Sequence, residues 1–388
     1  MFLRNQNDAP AGAQFRGGFT RRALATVLPV AACLAGLAAG ATLSLAGDTP
    51  APAPTWRTDP SVTRPCDRLP RKVIVGTEIS GYDVILTFPL EMRLQRMDEL
   101  VDAMAAQTEV TYPGKRLDLA VLTEYFLTRT GRTAEDLAVS LEEVRPRMAA
   151  CAKKHGCYLI VPLVMKEEGT PVRYSNVAVL MDRDGQVAGM YRKVHVAGNL
   201  RGVDLEGGIT PGRDYPVFNC DFGRVGIQIC YDIFYPEGWD ALAKQGAEIV
   251  ALASETPETV RPSAYAVQHR YYIVSATPRD HAAVFNPLGM IEDQATQAGV
   301  MVHQIDLSYE IEKWESGLDG GRGPARKFGD KIGYYYYGDQ DHGIFWSNDP
   351  TTTIGQMMGS LGFPNVDDET QYMRALNDKL RGGLPVVP

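Results

Sequence analysis

The chain has 388 residues, 45% of them hydrophobic and 22% charged, ordinary globular material with more than enough length for one large core. Its formal net charge is −8 and it contains no Lys/Arg-rich run. Both facts argue against a nucleic-acid partner, which would require a basic face to neutralise phosphates.

In chain order, Thr20-Arg21-Arg22 is followed by a nearly unbroken apolar and small-residue run over residues 23–46. Residues 1–47 therefore read as an export signal, with a positive n-region, an apolar h-region and small-residue exits at Ala39-Gly40-Ala41 or Ser44-Leu45-Ala46. Two further readings stand beside it. The run is long enough to remain as a membrane anchor, and Val30-Ala31-Ala32-Cys33 resembles a lipidation box. Each of the three places the body of the protein outside the cytoplasm, in the periplasm or the extracellular medium. Residues 48–70 read as a Pro-rich linker. If Cys33 leaves with the signal, Cys66, Cys151, Cys157, Cys220 and Cys230 remain, an odd set that leaves at least one thiol unpaired in an oxidising compartment. The other four can form two bridges in any of three pairings, or none.

The body alternates strands and helices. Residues 71–78 give the first strand, and Leu90, Leu94, Met97, Val101 and Met104 repeat at helical spacing over 90–107. Residues 117–122 form a short buried strand that delivers Thr123-Glu124 to its end. A second helix is predicted to begin near Pro146 and to stop at Gly156. Strands over 158–165 and 176–181 follow, and the Asp182-Arg183-Asp184-Gly185 turn returns the chain as a strand over 187–191. A Gly-rich loop over 198–212 contains Glu206, and a hairpin with arms 215–220 and 224–229 leads into Cys230. Pro236-Glu237 opens a helix. Further strands are predicted over 247–253, 273–276 and 301–306, with a helix over 263–271. The mixture points to a layered α/β sandwich.

Glu124, Lys193 and Cys230 each lie just after an apolar strand, and Glu206 precedes the Pro211-Gly212 turn. Carboxylate, ammonium and thiol on neighbouring strand ends make a kit for nucleophilic attack on a carbonyl. Asp118-Leu119-Ala120-Val121-Leu122-Thr123-Glu124, Tyr191-Arg192-Lys193-Val194-His195 and Ile229-Cys230-Tyr231-Asp232 with Pro236-Glu237 resemble, in order, the motifs of the carbon-nitrogen hydrolase (nitrilase) superfamily. The likeness covers residues 71–306. It implies a four-layer α-β-β-α sandwich over 71–310. Beyond the likeness, the aromatic density of Trp314, residues 334–337 and Phe345-Trp346 makes 311–388 read as a C-terminal extension that either packs back over the core or forms a subunit interface.

The resemblance also implies roles. Cys230 would be the nucleophile that forms a thioester, Glu124 the general base and acid, and Lys193 the oxyanion partner together with the backbone N–H of Tyr231. Glu206 resembles the family's second glutamate, which orients Lys193 and the substrate amide. Tyr231, His195 and Phe234 are the candidate substrate-binding residues. Tyr231-Asp232 looks more like the amidase and carbamoylase branches than the nitrile-cleaving one. Arginines that hold a substrate carboxylate in some carbamoylases are replaced here by Ile233 and Phe234. The expected substrate is thus a small linear amide or carbamoyl compound. The alternatives are an acyltransferase using the same thioester and a non-catalytic binding protein on the same fold. No cofactor is expected. The histidines lack metal-ligand spacing, so no metal is predicted. Family members commonly pair through helices near the cysteine, which implies a homodimer or larger assembly, and the aromatic run over 334–337 adds interface-type residues.

Overall fold

The computed structural model describes residues 63–198 and 204–384. The expected export signal or anchor (1–47) and the first part of the linker lie outside the described residues.

Two six-stranded sheets are stacked face to face. The first runs Gly299–Asp306, Lys72–Ile79, Leu119–Val121, Tyr158–Glu167, Arg173–Met181, Val187–Arg192. The second runs Ile291–Ala295, Ala282–Phe285, Tyr272–Ala276, Ile249–Ala253, Arg224–Ile229, Val217–Asn219. The strand alternation explains the stacking: Val73 and Val75 point between the sheets, while Ile74 points to the outer face. Strands buried on both faces read as the continuous apolar runs seen in the sequence. Between the sheets Val73, Val75, Leu119, Val121 and Ile160 meet Val225, Ile227, Ile249, Ala251 and Val274.

Helices close both outer faces. Leu90–Thr111 lays Leu94, Met97, Val101 and Met104 on the first sheet beside helix Leu141–His155. On the second sheet, helices Pro236–Lys244 and Val260–His269 contribute Trp239, Leu242 and Ala266. The result is the expected α/β fold with helix, sheet, sheet and helix in layers.

Several boundaries differ from the sequence expectation. The second helix begins at Leu141, because the Ser140 hydroxyl accepts the Glu143 N–H at 3.2 Å and caps it there. Pro146 therefore lies inside the helix. Strands Ala282–Phe285 and Ile291–Ala295 had no strong apolar alternation to announce them. Their hairpin is set by turn chemistry instead: Asn286 Oδ1 accepts the N–H groups of Leu288 and Met290, and Gly289 takes φ 74°. Beyond residue 306 the chain forms a three-stranded sheet, Tyr309–Lys313, His342–Ser347, Ile332–Tyr337, and helices Ile354–Gly359 and Val366–Leu380. Tyr309, Ile311, Ile344 and Val366 join the inter-sheet core, so this segment packs back onto the sandwich. All five described cysteines are free thiols.

A buried ion pair ties the two sheets at one end. His303 Nε2 lies 3.0 Å from Glu292 Oε2 and Nδ1 lies 3.7 Å from Asp293 Oδ2. Burial pulls the imidazole down, but the two carboxylates outweigh it and raise its pKa from 6.5 to about 9. A pKa raised by folding gives stability that is complete below pH 6.5 and is lost as pH rises through 9, here about 3 kcal/mol. Urea titrations of wild type should show that decline over this window, and His303→Gln should flatten it. A wild-type stability that stays level there would mean the pair contributes nothing.

Candidate active site

Three strand ends and one loop converge. Glu124 follows Leu119–Val121, Lys193 follows Val187–Arg192, Cys230 follows Arg224–Ile229, and Glu206 enters from the loop. Lys193 is 1% exposed, and its Nζ donates to Glu124 Oε1 at 2.8 Å and to Glu206 Oε1 at 2.6 Å. An ammonium has three N–H donors, so these two bonds leave one for a ligand. Glu206 is further held by the Tyr125 hydroxyl (2.5 Å) and the Ala197 N–H (3.0 Å).

Charge decides which form each group takes. Burial alone would depress Lys193, but the carboxylates of Glu124 and Glu206 outweigh it and raise its pKa, so it stays an ammonium. Burial pushes Glu206 up, and Lys193 with Tyr125 and Ala197 brings it below the usual carboxylate range. The Cys230 thiol is pushed up to about 12, first by burial and then by the charge of Glu124, while Lys193 and the Ser254 hydroxyl oppose the rise. The resting sulfur is therefore a thiol, and Glu124 is the carboxylate beside it.

The turn carrying the sulfur is strained and pinned. Cys230 has φ 42°, and Tyr125 (60°) and Glu206 (45°) share the left-handed region that side chains disfavour. Asp232, fully buried, holds the turn in place. Its carboxylate accepts the N–H of Ile229 at 3.1 Å and of His195 at 2.8 Å, and the Tyr191 hydroxyl at 2.7 Å. Cys230–Phe234 is a short 3-10 turn, whose leading N–H groups lack intrahelical partners, and Tyr231 supplies one of them.

The three expected substrate-binding residues are placed differently from one another. Tyr231 sits next to the sulfur with its ring 5.0 Å from that of Phe234, which is 48% exposed. Arg261 lies over the Phe234 ring at 4.4 Å. His195 stacks on Tyr235 at 3.7 Å, and its ring nitrogens face Asp232 (3.3 Å) and Glu237 (3.1 Å), which hold the imidazole above its ordinary pKa. That places the His195 ring against the turn's outer partners.

Sequence reasoning missed Asn176, Ser254 and Glu255. Asn176 is buried, and its Nδ2 donates to Glu124 Oε1 at 2.8 Å and to Glu206 Oε2 at 3.3 Å. A lone amide in an apolar strand was the available signal, because a buried polar group must find a partner. Asn176→Ala removes charge-assisted bonds that aim both carboxylates and should lower kcat about 10- to 100-fold with little change in KM. A kcat near wild type would show that Glu124 is aimed without it.

Among the described residues no cluster of three or more His, Cys, Asp and Glu is arranged to hold a metal ion. A buried ammonium shared by two glutamates beside a strained thiol, at strand ends of an α-β-β-α sandwich, has the architecture of the nitrilase superfamily. The carbon-nitrogen hydrolase family model matches residues 82–314, more than half of the chain, and the chain belongs to that family.

Relatives within the family are distant. Omega-amidase NIT2 of Danio rerio is 28% identical over 185 residues, 42% of this chain and 66% of that protein. N-carbamoylputrescine amidase of Arabidopsis thaliana is 34% identical over 105 residues, 27% of this chain and 34% of that protein. The chain thus spans between a third and two thirds of the length of these two relatives. Among solved structures, the carbon-nitrogen hydrolase from Helicobacter pylori G27 matches 61% of this chain and 90% of its own, with TM-score 0.52 and 20% identity. Saccharomyces cerevisiae Nit3 matches 62% and 91%, with TM-score 0.50 and 19% identity. These two likenesses concern the fold.

Proposed function

We propose that this chain hydrolyses the C–N bond of a small linear amide or N-carbamoyl compound through a thioester on Cys230, releasing ammonia or an amine. The observation that carries the proposal is the Lys193 ammonium fixed between Glu124 and Glu206 beside a thiol that burial keeps protonated. Family membership and the amidase names of the relatives support the reaction class.

In this reading Glu124 takes the thiol proton as sulfur attacks the carbonyl carbon, forming the C–S bond. The oxyanion is held by the remaining Lys193 N–H and the Tyr231 backbone N–H. Glu124 then passes its proton to the departing nitrogen, and the C–N bond breaks. Water replaces the leaving group, Glu124 takes one of its protons, and the resulting hydroxide attacks the thioester. Collapse breaks the C–S bond, and Glu124 returns the proton to sulfur. Glu206 and Asn176 hold Lys193 and Glu124 in place throughout, and Tyr231 and Phe234 supply an apolar wall for the substrate.

The same proposal places the enzyme outside the cytoplasm, exported or anchored through residues 23–46, on the strength of that leader's composition. It also assigns a homodimer or larger assembly. Exposed Val260 and Val267 on helix Val260–His269 support contact there. A panel of linear amides, carbamoyl compounds and nitriles, read by ammonia release, tests the reaction class. Turnover of amides or carbamoyl compounds at least about 10-fold above nitriles is expected, a gap of about 1.4 kcal/mol in the barrier. Turnover confined to nitriles, or absent throughout, would contradict the proposal.

A further inference from the structure

The site holds more hydrogen-bond acceptors than its own donors satisfy. Glu255 lies two residues past strand Ile249–Ala253, the parallel neighbour of the strand that carries Cys230. Its backbone N–H donates to Glu124 Oε2 at 3.1 Å, so its side chain starts beside the expected base. Among the described residues no hydrogen bond or ion pair engages the half-buried Glu255 carboxylate. Burial first, and then the charges of Glu124 and Glu206, raise its pKa against the opposing charges of Lys193 and Arg279. Asn176 gives an independent sign. Its Nδ2 is committed to two carboxylates, and its fully buried Oδ1 has no partner. That open acceptor belongs to the same amide that fixes Glu124 and Glu206, so the donors around these carboxylates are fewer than the acceptors.

The charge balance points the same way. Glu124, Glu206 and Glu255 face one ammonium, Lys193, and that ammonium is already shared by two of them. Arg279, which also acts on Glu255, stands 3.6 Å from Asp280 and is half exposed. Ile233 and Phe234 carry no charge, and Arg261, which lies over the Phe234 ring, is already paired with Glu258 at 2.8 Å. A carboxylate on the substrate would enter a field that is already negative, whereas an ammonium would neutralise it.

We propose that Glu255 is a specificity-determining residue that receives a primary ammonium on the substrate, so that the enzyme prefers amides carrying an amino group a few methylenes from the scissile bond. This rests on the amidase reading above and adds the substrate's charge to it. A charge-assisted hydrogen bond in a partly desolvated site is worth about 10- to 100-fold in kcat/KM against a neutral isostere.

The test compares three amides of equal chain length: pentanamide, γ-aminobutanamide and the monoamide of glutarate. For the wild-type protein, kcat/KM for γ-aminobutanamide should exceed that for pentanamide by about 10- to 100-fold, with the glutarate monoamide lowest. In Glu255→Gln the ratio of amino to neutral amide should fall to near one, chiefly through KM. A second readout needs no variant: butylammonium should inhibit pentanamide hydrolysis competitively and butyrate should not. A wild-type ratio near one overturns the assignment. So does a ratio preserved in Glu255→Gln, because glutamine keeps the shape and an acceptor oxygen but carries no negative charge for the ammonium to neutralise. The two readings fail separately: turnover without an amino preference removes Glu255 alone, while no turnover of any amide and no acyl group on Cys230 removes the amidase reading along with it.

Discussion

Cys230→Ala should abolish C–N bond cleavage, lowering kcat by on the order of 10⁴-fold or more, the loss that follows removal of a nucleophile acting within a catalytic unit. The same change should leave the far-UV and near-UV circular dichroism intact, because the turn is held by Asp232 through the N–H groups of Ile229 and His195, not by the sulfur. Cys220 supplies the control. It is another half-buried thiol, likewise pushed up to about 12 by burial, yet it follows strand Val217–Asn219 on the other arm of the hairpin. Cys220→Ala should keep its ammonia release within about 2-fold of wild type, since substitutions away from the site rarely exceed 0.5 kcal/mol. Equal loss in both variants would indicate a packing effect, and full activity in Cys230→Ala would remove the nucleophile from the mechanism.

Lys193→Met should damage both stability and turnover. The ammonium is almost wholly buried and compensates two carboxylates at once. Its removal leaves them facing each other across Asn176. Breaking a buried pair by deleting one partner costs roughly 3–5 kcal/mol, and losing an oxyanion donor costs about 10²- to 10³-fold in kcat. The acid side of the stability curve should change as well. Glu206 has a folded-state pKa below its ordinary 4.5, so in wild type it adds stability that is present above pH 4.5 and is lost as pH falls through the depressed value. Without Lys193 that acid-side loss should vanish, because protonating the carboxylates then relieves repulsion. Urea midpoints at pH 7 and pH 4 report both effects. A variant with wild-type midpoints would mean that the glutamates are balanced by some other charge.

The sequence made the site legible where chemistry and secondary structure coincide. Glu124, Lys193 and Cys230 each come directly after a run of buried strand residues, and a side chain at that point must emerge at the sheet's edge. Glu206 could be placed only by its resemblance to a family motif, since nothing in a Gly-rich loop fixes where a side chain reaches. Its carboxylate lies 2.6 Å from the Lys193 ammonium. Asn176 and Glu255 were hidden for a different reason. Their proximity to Glu124 depends on strand register: the Lys193 N–H donates to the Asn176 carbonyl at 2.9 Å, and the second sheet brings Glu255 across from the first. Register is a property of the paired strands and cannot be read from either one alone. The hairpin at Asn286 to Met290 was obscured by side-chain capping of a turn, and the start of helix Leu141–His155 by a serine cap whose effect outweighed the proline signal.

The most direct test of the account is the intact mass of the wild-type protein quenched in acid during steady turnover of an amide. A thioester mechanism predicts a mass increment equal to the substrate's acyl group less the displaced thiol hydrogen, mapped by peptide digestion to Cys230, cleared by hydroxylamine and absent from Cys230→Ala. Sustained ammonia release with no acyl increment, or with the acyl group on another residue, would contradict it.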